Sequence, residues 1–227
     1  MTVNDELLSK LEDWASNRLL RPRCFDCQHY STCNERLATE GTTLDLGNSV
    51  AMTYVGTQYG NLPDAPRLLL VGLDHGAEDR GFDFRDRRAQ IQQFKEGRDR
   101  FNPHYKGVIQ TASAALTPLV ACDVRCTSSC SWSQTREGPC ALDFLAQANL
   151  VKCSASTSFK GTPLISLCVN WLVEEINILE PTIIVFHGVA AKWAFPKAVA
   201  DAGWSLTPIE GSSCSDLFWL HGPPRAA

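Results

Sequence analysis

The chain lacks any apolar run approaching the roughly 18 to 20 residues that cross a bilayer as a helix, so no membrane span is expected. It also lacks a basic start followed by an apolar stretch. The opening MTVNDELLSKLEDW is polar and acidic, which argues against a secretory signal and makes the cytoplasm the expected compartment. Positive charge is not in excess either. Lys and Arg number 21 against 25 Asp and Glu, a net charge of −4, so any nucleic-acid surface has to be a local basic patch. The apolar share of 44% and the charged share of 20% are those of an ordinary globular protein with a substantial core. One domain over residues 1–227 is expected, with a cysteine-bearing N-terminal part (1–40) and a cysteine-rich insertion (122–140), and a monomer as the working state.

Cysteine is abundant. Ten occur: Cys24, Cys27, Cys33, Cys122, Cys126, Cys130, Cys140, Cys153, Cys168 and Cys214. A reducing compartment disfavours a disulfide framework, which leaves metal or cluster ligation as the better use of several of them. The four within 122–140 fit no standard zinc spacing, so free thiols and a second metal both stay open there.

Periodicity gives an α/β pattern. Asn4 is placed to cap a first helix bearing Leu7, Leu8, Leu11, Trp14 and Leu19 on one face, and the CFDCQHYSTC segment reads as a loop. A weakly alternating stretch (48–59) precedes the turn GNLPDAP. RLLLVG then reads as a buried parallel strand opening into a loop. Helices are expected over 107–120, 168–179 and 189–202, and strands over 144–151, in TIIVFHG and over 217–220. Strands alternating with helices imply a parallel sheet covered on both faces, with ligands at the carboxyl ends of its strands. Asp74, Asn149, His187 and His221 stand at those ends in the sequence and are expected on one rim. Each also has a plain structural use: Asp74 as a helix cap, His187 and His221 as inert groups, Asn149 as an amide bonded to backbone.

GNLPDAPRLLLVGLDHGAED, followed by ANLVKC and a further cysteine at Cys168, resembles the uracil-DNA glycosylase superfamily, closest to its iron–sulfur-containing family 4 and family 5 branches. The match runs over residues 24–27 and 60–221 in the family's order. The resemblance implies a three-layer α/β/α fold with a central four-stranded parallel sheet. It also implies a [4Fe–4S] cluster on Cys24, Cys27, Cys153 and Cys168, with zinc on the same four thiolates as the alternative that spacing leaves open. Cys33 competes with Cys27 for a ligand position, and Cys214 has no assigned role.

The same resemblance implies hydrolysis of the N-glycosidic bond of uracil or another altered pyrimidine flipped out of DNA. Asp74 would stabilise the oxocarbenium-like sugar and position water, and His221 would stabilise the departing base anion. Asn149 would read the Watson–Crick edge, with Gly72 and His75 beside it and Phe82 or Phe84 stacked on the base. Arg80, Arg85, Arg88 and Arg225 are the expected phosphate contacts. Interleaved acids leave a salt-bridged, solvated face equally open for the Arg80–Arg88 stretch.

The chain departs from the family at two places. Leu73 stands where family 4 has an acid, and the terminal motif is His-Gly-Pro-Pro instead of His-Pro-Ser. These departures motivate two other readings: a glycosylase for a hypermodified base, as in phage DNA, and a non-catalytic iron–sulfur protein that binds nucleic acid or senses redox state.

Overall fold

The computed structural model describes residues 3–18, 20–21, 24–25, 27–39, 41, 53–61, 66–72, 91, 103–116, 141–152, 165–187, 195, 200, 203–208 and 217–221. They form a mixed α/β structure. Four helices are described: α1 (Val3–Arg18), α2 (Tyr30–Thr39), α3 (Pro103–Leu116) and α4 (Ile165–Leu179). A two-residue pair, β1 (Leu20–Arg21) with β2 (Cys24–Phe25), joins α1 to α2. The main sheet contains β3 (Tyr54–Val55), β4 (Leu68–Gly72), β5 (Leu145–Asn149), β6 (Ile183–Phe186), β7 (Ser205–Pro208) and β8 (Leu217–His221) in the order β3-β5-β4-β6-β8-β7. None of the described helices is long and apolar enough to cross a membrane.

Every residue of β4, β5 and β6 is buried, as expected where helices cover both faces of a sheet. Because side chains alternate across a strand, consecutive residues feed two different cores. Leu69, Val71, Ala146, Ala148, Ile184 and Phe186 pack with α1, α2 and α4. Leu68, Leu70, Leu145, Ile183 and Val185 pack with Val108, Ile109, Ala112 and Leu116 of α3. The buried stripe of α4 (Cys168, Trp171, Leu172, Ile176, Leu179) follows the helical period. That helix stops at Glu180, which takes a left-handed conformation (φ 46°) and donates its N–H to the Ile176 carbonyl (2.8 Å). Pro181 cannot continue the helix and starts the approach to β6.

Two expectations are corrected. Asn4 does not cap α1. It lies inside the first turn, and its carboxamide donates to the Gly56 carbonyl, tying the helix to the turn after β3. The sheet is also not all-parallel. β4 runs parallel to β5 and β6, but β8 is antiparallel to β6 (Ile183 opposite Trp219, Val185 opposite Leu217). The short pair β1–β2 was not foreseen, nor in the main sheet was β7, antiparallel to β8 and so parallel to β6. It carries Pro208, a residue tolerated in strands mainly at a sheet edge, and that proline hides the strand from a propensity reading. Insertion of β8 between β6 and β7 reverses its direction. The core of the sheet is therefore four-stranded and mixed, with three parallel members.

Gly56 marks a close backbone approach. A Cβ there would stand 2.3 Å from the Leu142 carbonyl oxygen and 2.4 Å from that of Asp143. The approach lets Gly56 N–H bond the Leu145 carbonyl (2.9 Å) and Gln58 N–H bond that of Asp143 (2.7 Å). Gly56→Ala must push the turn away from residues 141–144 and should destabilise the protein by about 1–3 kcal/mol. Urea denaturation reads this as a lowered midpoint, and a midpoint equal to wild type would contradict the packing.

Candidate functional site

The carboxyl ends of β4, β5 and β6 converge on Gly72. Gly72 pairs in register with Asn149 and accepts the Leu150 N–H (2.9 Å), while His187 N–H bonds the neighbouring Val71 carbonyl (2.8 Å). Asn149 and His187 thus flank Gly72 on the same rim. A Cβ at Gly72 would lie 3.0 Å from Asn149 Oδ1, so glycine gives the amide its room. Asn149 is only 4% exposed. A carboxamide in this position offers one acceptor and two donors to a ligand at the rim.

His221 is not on this rim. The antiparallel pairing carries β8 toward the amino ends of the parallel strands, and His221 lies opposite Ser205 there, beyond the residue facing Ile183. The expected place of His221 on the carboxyl rim is corrected by that reversal. Asp74, His75, Arg80, Phe82, Phe84, Arg85, Arg88 and Arg225 lie outside the described residues. Asp74 follows Gly72 by two residues in the chain.

Three residues past Asn149, Lys152 is fully buried and forms an ion pair with Glu175, itself 1% exposed. The Thr53 hydroxyl donates to the other carboxylate oxygen (2.6 Å). Burial pushes the Glu175 carboxyl above its usual range, and the Lys152 ammonium and the Thr53 hydroxyl pull it back. This network ties the exit of β5 to α4 and to the approach to β3.

Sulfur gathers on the same side of the sheet. Cys27, Cys33 and Cys168 are buried in the core that α1, α2 and α4 share. Burial raises the Cys27 thiol pKa, and the nearby Cys168 and Cys33 raise it further, against the pull of the His29 N–H and the Trp171 indole N–H. Of the four ligands implied by the resemblance, Cys27 and Cys168 are brought together. Cys24 sits in β2 opposite Arg21, with only its backbone described, and Cys153 lies outside the described residues. Among the described residues, no group of three His, Cys, Asp or Glu side chains is arranged to hold a single metal ion.

Two features escaped the sequence reading although a signal was present. Glu175 falls on the apolar stripe of α4, between Trp171, Leu172, Ile176 and Leu179. A carboxylate there demands a buried partner, which Lys152 supplies. The helical setting of Cys33 was missed because CFDCQHYSTC was read as loop. Its second half is the first turn of α2, which turns Cys33 inward.

No protein-family model matches the chain, and neither curated proteins nor solved structures give a match. Fold and site geometry alone therefore define its class: a mixed α/β protein with a buried polar rim at the carboxyl ends of three parallel strands.

Removing one partner of a buried ion pair leaves the other charge uncompensated and typically costs 3–5 kcal/mol. Lys152→Met should destabilise the protein by about that much at neutral pH. Without the ammonium, the folded-state pKa of Glu175 rises further above its unfolded value. The folded state then binds the extra proton, and stability falls as pH rises through the window between the two values. The deficit relative to wild type should therefore shrink on acidification below neutrality. Urea titrations at pH 7 and pH 5 check this, and a deficit that grows at pH 5 would refute the pairing.

Proposed function

We propose that the protein is a monofunctional DNA glycosylase with a uracil-DNA glycosylase-like fold, hydrolysing the N-glycosidic bond of uracil or another altered pyrimidine flipped out of DNA. The observation that carries the reading is the buried Asn149 carboxamide packed against Gly72 at the rim, near Asp74 in the chain. A carboxamide offers one acceptor and two donors in a plane, which complements the alternating N–H and C=O groups on a pyrimidine's Watson–Crick edge. Carboxyl ends of parallel strands are where α/β sheets bind ligands.

Chemistry follows from charge. As the bond to C1′ breaks, the sugar becomes cationic and the base anionic. Asp74 stabilises the first and positions water; a donor near the base oxygen stabilises the second. His187, beside Gly72, is better placed for that donor role than His221. Phe82 or Phe84 stacks on the extruded base, and Arg80, Arg85, Arg88 and Arg225 hold phosphates. The iron–sulfur cluster, on thiolates from the N-terminal part and from the segments after β5, acts as a cross-link. Base hydrolysis moves no electrons and needs none from it.

Incubation with single- and double-stranded oligonucleotides carrying uracil, thymine and modified pyrimidines, with chromatography of released base, tests the proposal. One altered pyrimidine should be released. Asp74→Asn should lower its release roughly hundredfold or more. Asn149→Ala should do the same, His187→Ala should lower it at least about tenfold, and His221→Ala should leave it within about threefold. No base released from any substrate would overturn the enzymatic reading and favour a non-catalytic nucleic-acid-binding protein. Undiminished release by Asp74→Asn would overturn the site.

A further inference from the structure

Lys152 and Glu175 form an ion pair sealed inside the protein, and the chemistry of base release gives them no task. Lys152 is wholly buried and Glu175 is 1% exposed. The ammonium donates to Glu175 Oε2, and the Thr53 hydroxyl donates to Oε1 at 2.6 Å. Lys152 lies past the end of β5, Glu175 in the body of α4, and Thr53 directly before β3.

Stability does not explain this choice of residues. Two charges taken out of water lose hydration that their mutual attraction does little more than replace, and apolar side chains of like volume would fill the same space as well. What apolar contacts lack is direction. A side chain held by dispersion tolerates sliding. An ammonium held by one carboxylate oxygen, with a hydroxyl fixing the other, has a single place to be.

Direction matters at the end of β5 because Asn149 is its last residue. On one side Asn149 is in register with Gly72 of β4, and Leu150 N–H bonds the Gly72 carbonyl at 2.9 Å. On the other side β3 pairs Tyr54 with Gln147 and Val55 with Ala146. Extended by one residue, that antiparallel register sets Thr53 opposite Ala148, the neighbour of Asn149. Beyond Leu150 the chain leaves the sheet, and Lys152 anchors it to α4 within two residues. The carboxamide has little clearance of its own, since Asn149 Oδ1 stands 3.0 Å from where a Cβ on Gly72 would be. A slide of the strand exit would carry the amide with it.

We infer that Lys152, Glu175 and Thr53 are positioning residues of the base site, whose buried network holds the exit of β5 so that the Asn149 carboxamide meets a flipped base in one orientation. The inference rests on the base-reading role given to Asn149 under the proposed function. It adds to that site three residues that touch no substrate.

Replacing the whole network at once separates direction from stability. In the triple variant Thr53→Val, Lys152→Met, Glu175→Leu, apolar groups take the place of both charges and the hydroxyl, and circular dichroism and urea denaturation report the fold. The urea midpoint should equal or exceed that of wild type. Single-turnover base release at saturating DNA should nevertheless fall about tenfold or more, with DNA affinity within about threefold of wild type. The Asn149 side-chain NH2 pair in a 15N spectrum, assigned by its loss in Asn149→Asp, should shift or split. Thr53→Val alone keeps both charges and should show the same changes at smaller size; it decides the matter if the triple variant does not fold. Wild-type release, or an unmoved Asn149 pair, in the folded variant would overturn the inference. A wild-type protein that releases no base would overturn the proposed function instead. The Asn149 pair, read without DNA, would then still decide whether the network holds the amide.

Discussion

The Lys152–Glu175 ion pair is the contact on which the arrangement of the site depends. Both ends are out of water, so each charge is tolerable only because the other is there, and Thr53 occupies the second carboxylate oxygen. The pair fixes the exit of β5 against α4. Asn149 lies three residues before Lys152, and Cys168 lies two turns before Glu175 on the same helix. One desolvated contact thus sets the position of the rim amide relative to the buried thiols. An apolar pair of similar volume could match its stability without its directionality. The ion pair adds a defined register between strand exit and helix.

Much of this fold was legible in the sequence, for a physical reason. Strands buried on both faces need continuous apolar runs, and RLLLVG and TIIVF have them, so β4 and β6 declare themselves. The amphipathic stripe of α4 does the same. Pairing direction was not legible. Leu217–His221 is apolar enough to be a strand, but nothing local says whether it runs with β6 or against it. That depends on β7, a short edge strand containing proline. The consequence for the site is large, since a reversal moves His221 from one end of the sheet to the other. The amide at Asn149 was legible as a buried polar group in an apolar strand, whereas its juxtaposition with Gly72 required the register.

Interior polarity among the described residues gathers around the exit of β5. The Lys152–Glu175–Thr53 network and the three buried thiols lie on the side of α4, while Gln147 and Asn149 alternate onto the other face of β5 with Leu145. Stability alone would not select such a distribution, because apolar side chains fill a core at lower cost. A site that must hold a polar ligand in a fixed orientation would, and pre-organised donors and acceptors in a low-dielectric setting are what charge-separating hydrolysis needs.

The central claim is that Asn149 reads a pyrimidine edge, and its side-chain amide can report on this directly. In a 15N-labelled protein, the Asn149 NH2 pair is identified by its disappearance in Asn149→Asp. Free uracil and other pyrimidine bases are then titrated in. Base reading predicts a saturable shift of that one pair for at least one pyrimidine, and no shift for purines at the same concentrations. A pair that stays in place through every titration would contradict it.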